Sequence, residues 1–180
     1  MKNPILVVLL AVLLCFAFAC QNKAEKAELE KFRAQAKVEE QNKEIVNHMW
    51  EAWNKRDFEV IKELVAPEYH YYSPSNRANP KSREETIEEM EMFFTGVPDA
   101  YFTVEELIIS GNKVISRWVV EGTHQGQFEG IPATWNKIEY SGIMITRIEN
   151  EQIVEDRENW DGLGLFEQLG MELKPKEVKK

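Results

Sequence analysis

The sequence predicts an α+β protein. Apolar residues recur at helical spacing before residue 100, and strictly alternating, β-branched-rich segments follow it. A two-residue turn, Gly111-Asn112, joins two of those segments as a hairpin. Helices first and a meandering antiparallel sheet afterwards give segregated layers, with room for a pocket between them.

The elements follow in order. Residues 5–20 carry no charge, whereas the remainder is strongly polar. This run is long enough for a signal-peptide apolar region and short of the ~20 residues that span a bilayer. It closes on Ala17-Phe18-Ala19-Cys20. Residues 21–43 are rich in Ala, Glu, Lys and Gln without Gly or Pro, and predict a helical or partly disordered spacer. Ile45, Met49, Ala52 and Trp53 define an amphipathic helix over 44–55. Asp57 caps a second short helix, which Pro67 is expected to stop. Tyr69–Tyr72 predicts a short aromatic strand. Ser82 and Glu85 have capping-box spacing and open a helix over 83–94, ended by Gly96 and Pro98. Strands are expected at 101–110, 113–122, 137–149 and 152–160, and a last short helix near 162–169. A lysine-rich tail follows residue 170.

Composition restricts function. The formal net charge is −9, which gives no electrostatic footprint for nucleic acid. Cys15 and Cys20 are the two cysteines, so a chain cut before Cys20 keeps no second thiol for a disulfide, a nucleophile or a cysteine metal site. His48, His70 and His124 have no metal-ligand spacing. Neither a metal nor a cofactor is expected.

The first twenty residues resemble a bacterial lipoprotein signal, in which the peptidase cuts before a cysteine that carries diacylglycerol. The resemblance implies a signal peptide over 1–19, lipidation at Cys20, and residence in the bacterial cell envelope on the outer membrane or periplasmic face.

A second resemblance runs from about Ile45 to Gly170. Gly122-Thr123-His124-Gln125-Gly126, continued through Gly130-Ile131-Pro132-Ala133-Thr134, is similar to the stretch G-x-H-x-G-x-x-x-G-x-P-P-T of the SnoaL-like polyketide cyclases. Arg147 to Glu155 resembles that family's R-x-x-x-G-K-I-x-E hairpin, and Trp160 to Gly170 its closing helix ending in Q-L-G. The family implies a domain over 44–170 with the cone-shaped barrel shared with nuclear transport factor two and ketosteroid isomerase. It also implies cofactor-free ring closure, in which a carboxylate on the last strand removes a proton next to a carbonyl. Counting back from Gln168-Leu169-Gly170 places that carboxylate at Glu158, where the family has Asp. The family's assisting histidine falls on Met144. Trp135 and Glu151 stand where the family has glycines.

Read without the family, Glu158 shares a strand face with Val154, Asp156 and Trp160, either desolvated or facing solvent in a row of charges. His124 suits a donor at a pocket mouth or a turn-forming hydrogen bond. Trp118, Tyr140 and Trp160, with Tyr71 and Met144, suit a pocket for a small apolar or ring-containing ligand. The other aromatics, Trp50, Trp53, Phe58, Phe128 and Trp135, suit pocket wall or core filler. Two functions stay open: an acid/base enzyme using Glu158, or a non-catalytic envelope module that binds a small molecule or a protein. A homodimer is compatible with either.

The anchor is testable. Expressed in a bacterium, the protein should fractionate with membranes, and Cys20→Ser should release it or block maturation. An unmodified mass for the mature N-terminus would exclude lipidation.

Overall fold

The computed structural model describes residues 4–172 and 174, with side chains described from residue 25 onward. The expected signal peptide and the Cys20 side chain lie outside the described side chains. The chain divides into two compact units, residues 1–40 and 41–180.

Helix α1 runs Pro4–Lys55, so the spacer is helical. Leu29 and Phe32 on its first part are exposed. No helix among the described residues is long and apolar enough to cross a membrane.

The second unit is α+β, with helices on a curved five-stranded sheet. After α1 come α2 (Phe58–Leu64), β1 (Val65–Tyr72), α3 (Arg83–Gly96), β2 (Tyr101–Ser110), β3 (Lys113–Thr123), β4 (Lys137–Glu149), β5 (Gln152–Trp160) and α4 (Gly162–Gln168). The order across the sheet is β1-β5-β4-β3-β2. Strands β2 to β5 form the expected antiparallel meander, but β1 adds to β5 in parallel.

Strand β1 also starts earlier than its aromatic run suggests, at Val65 instead of Tyr69. Pro67 therefore does not follow a helix end; it lies inside this strand. An edge strand tolerates it, because a proline there withholds no hydrogen bond from a second neighbour. The pairing with β5 slips between Val65 and His70, across the proline.

Alternation sends one side of each strand to the helices. Val114, Ser116, Trp118 and Val120 of β3 are buried, as are Ile138, Met144, Thr146 and Ile148 of β4. Val46, Met49, Trp50 and Trp53 of α1 cover them, with Ile61 of α2 and Ile87, Phe93 and Phe94 of α3. Polar contacts fix the helices in place. Asn54 exchanges two hydrogen bonds with the backbone of Phe102 on β2 (2.9 and 2.8 Å). Trp50 Nε1 donates to Ser116 Oγ inside the core (3.3 Å). Ser82 and Glu85 complete the expected capping box at α3, and Asp57 caps α2.

A bulge alters β5. Arg147 pairs with Glu155 and Ile148 with Ile153, so Val154 has no partner on β4. The extra residue inverts the alternation. Ile153 is therefore fully buried, and Val154 does not share the inward face with Asp156 and Glu158 as simple alternation predicts.

The hairpin turn just before it holds Asn150 at φ 51° and Glu151 at φ 63°. Two consecutive left-handed residues are the signature of a type I′ turn, for which Asn-Gly is the favoured pair. Glutamate at the second place bears the steric cost of its Cβ, about 1 kcal/mol. Glu151→Gly should therefore raise the unfolding free energy by about that amount. Equilibrium denaturation with an unchanged m-value checks it; an unchanged or lower midpoint would contradict the turn assignment.

Candidate active site

Between the helices and the inward face of the sheet lies a cavity of about 120 Å³. Glu158, Met144, Tyr140, Trp118, Trp160 and Tyr71, all singled out in the sequence, line it. His124 does not. It is fully buried beneath the loop that follows β3, where its Nδ1 accepts from the Thr134 amide (3.2 Å) and lies 3.0 Å from Thr134 Oγ1. Backbone bonds from His124 to Asn136 and from Trp135 to His124 tie the same loop together. Trp135 is exposed on that loop at φ 62°. Phe58 packs in the helical core against Trp53 and Phe94. His48 and His70 are exposed.

The parallel strand builds the site. Tyr69 and Tyr71 are two apart on β1, as Asp156 and Glu158 are on β5, so each pair shares a face. Tyr69 Oη donates to Asp156 Oδ2 at 2.8 Å, and Tyr71 Oη donates to Glu158 Oε2 at 2.7 Å. Thr146 Oγ1, from β4, donates to the other Asp156 oxygen at 2.5 Å. The cavity thus holds two carboxylates, each supported by a tyrosine. Neither forms an ion pair among the described residues. Asp156 was visible in the sequence only as a face-mate of Glu158. Its role depends on Tyr69 and Thr146, which sequence spacing does not connect.

Burial governs the protonation of both. Removal from water pushes Asp156 up to about 6, although the bonds from Thr146 and Tyr69 oppose the shift. Burial likewise pushes Glu158 up to about 7; the Tyr71 bond opposes this and the nearby Asp156 adds to it. Tyr69, Tyr71 and Tyr140 are all raised by burial first and by these carboxylates second, so they stay protonated as donors.

One donor is free. Trp118 is 3% exposed and its Nε1 has no hydrogen-bond partner. It lies close enough to Glu158 to oppose the rise of that carboxyl's pKa, yet outside hydrogen-bond geometry. Gly142 permits this placement. A Cβ there would come within 2.4 Å of the indole Cζ2, so the ring lies flat across the glycine on the neighbouring strand. Met144, directly opposite Glu158 in the β4–β5 register, contributes apolar surface and no donor.

Comparisons with known proteins bear on the family and the fold. The family model described as SnoaL-like polyketide cyclase matches residues 43–169. The chain is 27% identical to IdmH of Streptomyces antibioticus, a candidate polyketide cyclase, over 72% of this chain and 99% of that one, with a TM-score of 0.65. It is 25% identical to AclR of Streptomyces galilaeus, a candidate hydroxylase, over 73% and 97%, with a TM-score of 0.67. A SnoaL-like protein of Jannaschia sp. CCS1 shares the fold at 23% identity over 76% and 96%, with a TM-score of 0.69. No match was found among curated proteins.

The raised carboxyls make stability depend on pH. Between about pH 4 and 7 the folded state binds more protons at Asp156 and Glu158 than the unfolded chain does. Their contribution is therefore complete below the unfolded values and is lost as pH rises through the folded ones. The melting temperature should fall between about pH 5 and pH 8, and Glu158→Gln should shrink that fall. A scan in which the variant keeps the full wild-type slope would show that Glu158 is not the group being titrated.

Proposed function

The chain belongs to the SnoaL-like polyketide cyclase family, and from that premise we propose that it is a cofactor-free acid/base enzyme whose general base is Glu158. The observation that supports this most directly is a carboxyl without an ion pair, tuned to about 7, at the wall of an aromatic cavity. A base with that pKa is about half ionised at neutral pH, near the optimum for proton transfer. Structural carboxylates are more often held low by cations.

The proposed step is proton abstraction next to a carbonyl. The C–H electron pair moves into the enolate, the proton passes to the free Glu158 oxygen, and Tyr71 holds the other oxygen in place. The developing oxyanion needs a donor. Trp118 Nε1–H, buried and unpartnered, takes the part that Met144 cannot. Asp156, held by Tyr69 and Thr146, raises the basicity of Glu158 through its proximity. The enolate then attacks a second carbonyl in a cyclase, or is reprotonated in an isomerase.

Lipidation at Cys20 would place this chemistry in the bacterial cell envelope; the uncharged run ending at Cys20 supports it. A homodimer through the outer face of the sheet is supported by Ile143 and Ile145, exposed side by side on β4.

Cyclohexanone is small enough to probe the base. In D₂O the wild-type protein should accelerate exchange of its α-protons, followed by proton NMR. Glu158→Gln should lower that rate by about 10²–10⁴-fold, the contribution of a positioned acid/base group. Absence of exchange in the wild type, or equal rates in the two proteins, would exclude Glu158 as the base.

A further inference from the structure

The electrostatic character of the cavity is one-sided. Three acidic side chains line it, Glu158, Asp156 and Glu89, and no Lys, Arg or His does. Lys81 sits outside that lining and is engaged by Glu89. The rest of the wall is mostly aromatic, with the rings of Trp50, Phe102, Trp118, Tyr140 and Trp160 in a continuous chain of contacts. Ring faces carry negative quadrupole, so they attract cations and repel anions. Beside Glu158 lies the Trp118 Nε1–H, which has no hydrogen-bond partner and can take an acceptor oxygen on whatever fills the space. At about 120 Å³ the cavity is on the order of one known to admit a benzene ring, and is too small for a fused multi-ring molecule.

From the two carboxyls without an ion pair, the largely aromatic wall and the indole donor, we propose that this cavity takes a compact cationic ligand, an ammonium or trimethylammonium group one or two carbons from a hydroxyl or carbonyl oxygen. The proposal rests on reading this cavity as the ligand site, and it names the substrate class of that site. The cation lies against the rings with Glu158 and Asp156 as counter-charges, and the oxygen accepts from Trp118. Such a ligand also suits the base, since an ammonium group withdraws electrons and acidifies a C–H between itself and a carbonyl.

Protonation of the site competes with the cation. The groups that face Glu158 are Asp156 on its own strand, Tyr69 and Tyr71 on β1, Tyr140 on β4, and Glu89 on α3 with Lys81 bound to it. The tyrosines stay neutral, so the carboxylates set the charge. Affinity for a cation should rise with pH through about 7, as Glu158 loses its proton.

Three probes of nearly equal shape separate charge from fit: choline, 3,3-dimethylbutan-1-ol and 3,3-dimethylbutanoate. They are titrated into the full-length chain by calorimetry at about pH 8 and about pH 5.5, on either side of the Glu158 transition. Choline should bind at least about tenfold more tightly than the alcohol at the higher pH, with the butanoate weakest. That advantage should shrink at the lower pH and in Glu158→Gln, while the alcohol changes little. A smaller advantage, no choline binding, or an advantage that survives both changes would overturn the proposal. The pH comparison needs no variant, so misfolding of Glu158→Gln leaves the test intact. Cyclohexanone exchange on the same protein separates the two readings. Exchange without choline preference overturns this ligand class alone; choline preference without exchange overturns the base alone.

Discussion

The parallel pairing of β1 with β5 is the constraint on which the site depends. It sets Tyr69 and Tyr71 beside Asp156 and Glu158 and supplies the hydrogen bonds that let a buried and a half-buried carboxyl stand two residues apart. Burying carboxyls without cations is costly unless they are hydrogen-bonded or neutral. Here both outlets are used: tyrosine and threonine donors hold the oxygens, and the pKa values rise so that protons carry part of the compensation. Stability and the protonation of the two carboxyls are therefore coupled. The shift that makes the folded chain prefer acid is the same one that brings Glu158 near neutrality.

The remainder of the cavity follows from close packing against that strand pair. Gly142 lets the Trp118 indole cross β4, and the indole meets Phe102 at 5.6 Å and Tyr140 at 5.8 Å between ring centroids. Helix α1 covers the other side through Trp50, whose Nε1 is satisfied by Ser116. Trp50 and Trp118 differ in this respect. Trp50 is pinned to the core by its polar atom, whereas Trp118 keeps its N–H for the cavity. Trp118 thus lines the cavity with its polar atom left without a partner.

Two departures from the family pattern have distinct physical consequences. Met144 removes a donor opposite Glu158, and the indole of Trp118 offers one from the adjacent strand. Trp135 and Glu151 occupy left-handed backbone positions where glycine is the usual residue. These two affect loop energetics and lie away from the cavity. The first departure concerns the lining of the cavity and the second the energetics of loops, although both look alike as exceptions in a sequence.

Much of the fold was determined by the sequence alone. Helical spacing in 44–55, the capping box at Ser82 and the Gly111-Asn112 turn are local signals, and each produced the element it predicts. Glu158 and its aromatic neighbours were legible as well, Glu158 and Met144 through the family pattern. Tertiary structure decided what local periodicity cannot encode. Which strand lies beside β5 is a long-range choice, so the tyrosine partners of Asp156 and Glu158 were invisible in their own segment. The Val154 bulge shifts alternation by one, because an unpaired residue on one strand breaks the two-residue period that face assignments rely on. His124, set in a motif that suggests chemistry, is bound into its own loop by Thr134, since its position relative to the cavity depends on how that loop folds back. Local chemistry thus defines the elements, while strand partnership, bulges and burial assign each polar side chain to a cavity, a loop or solvent.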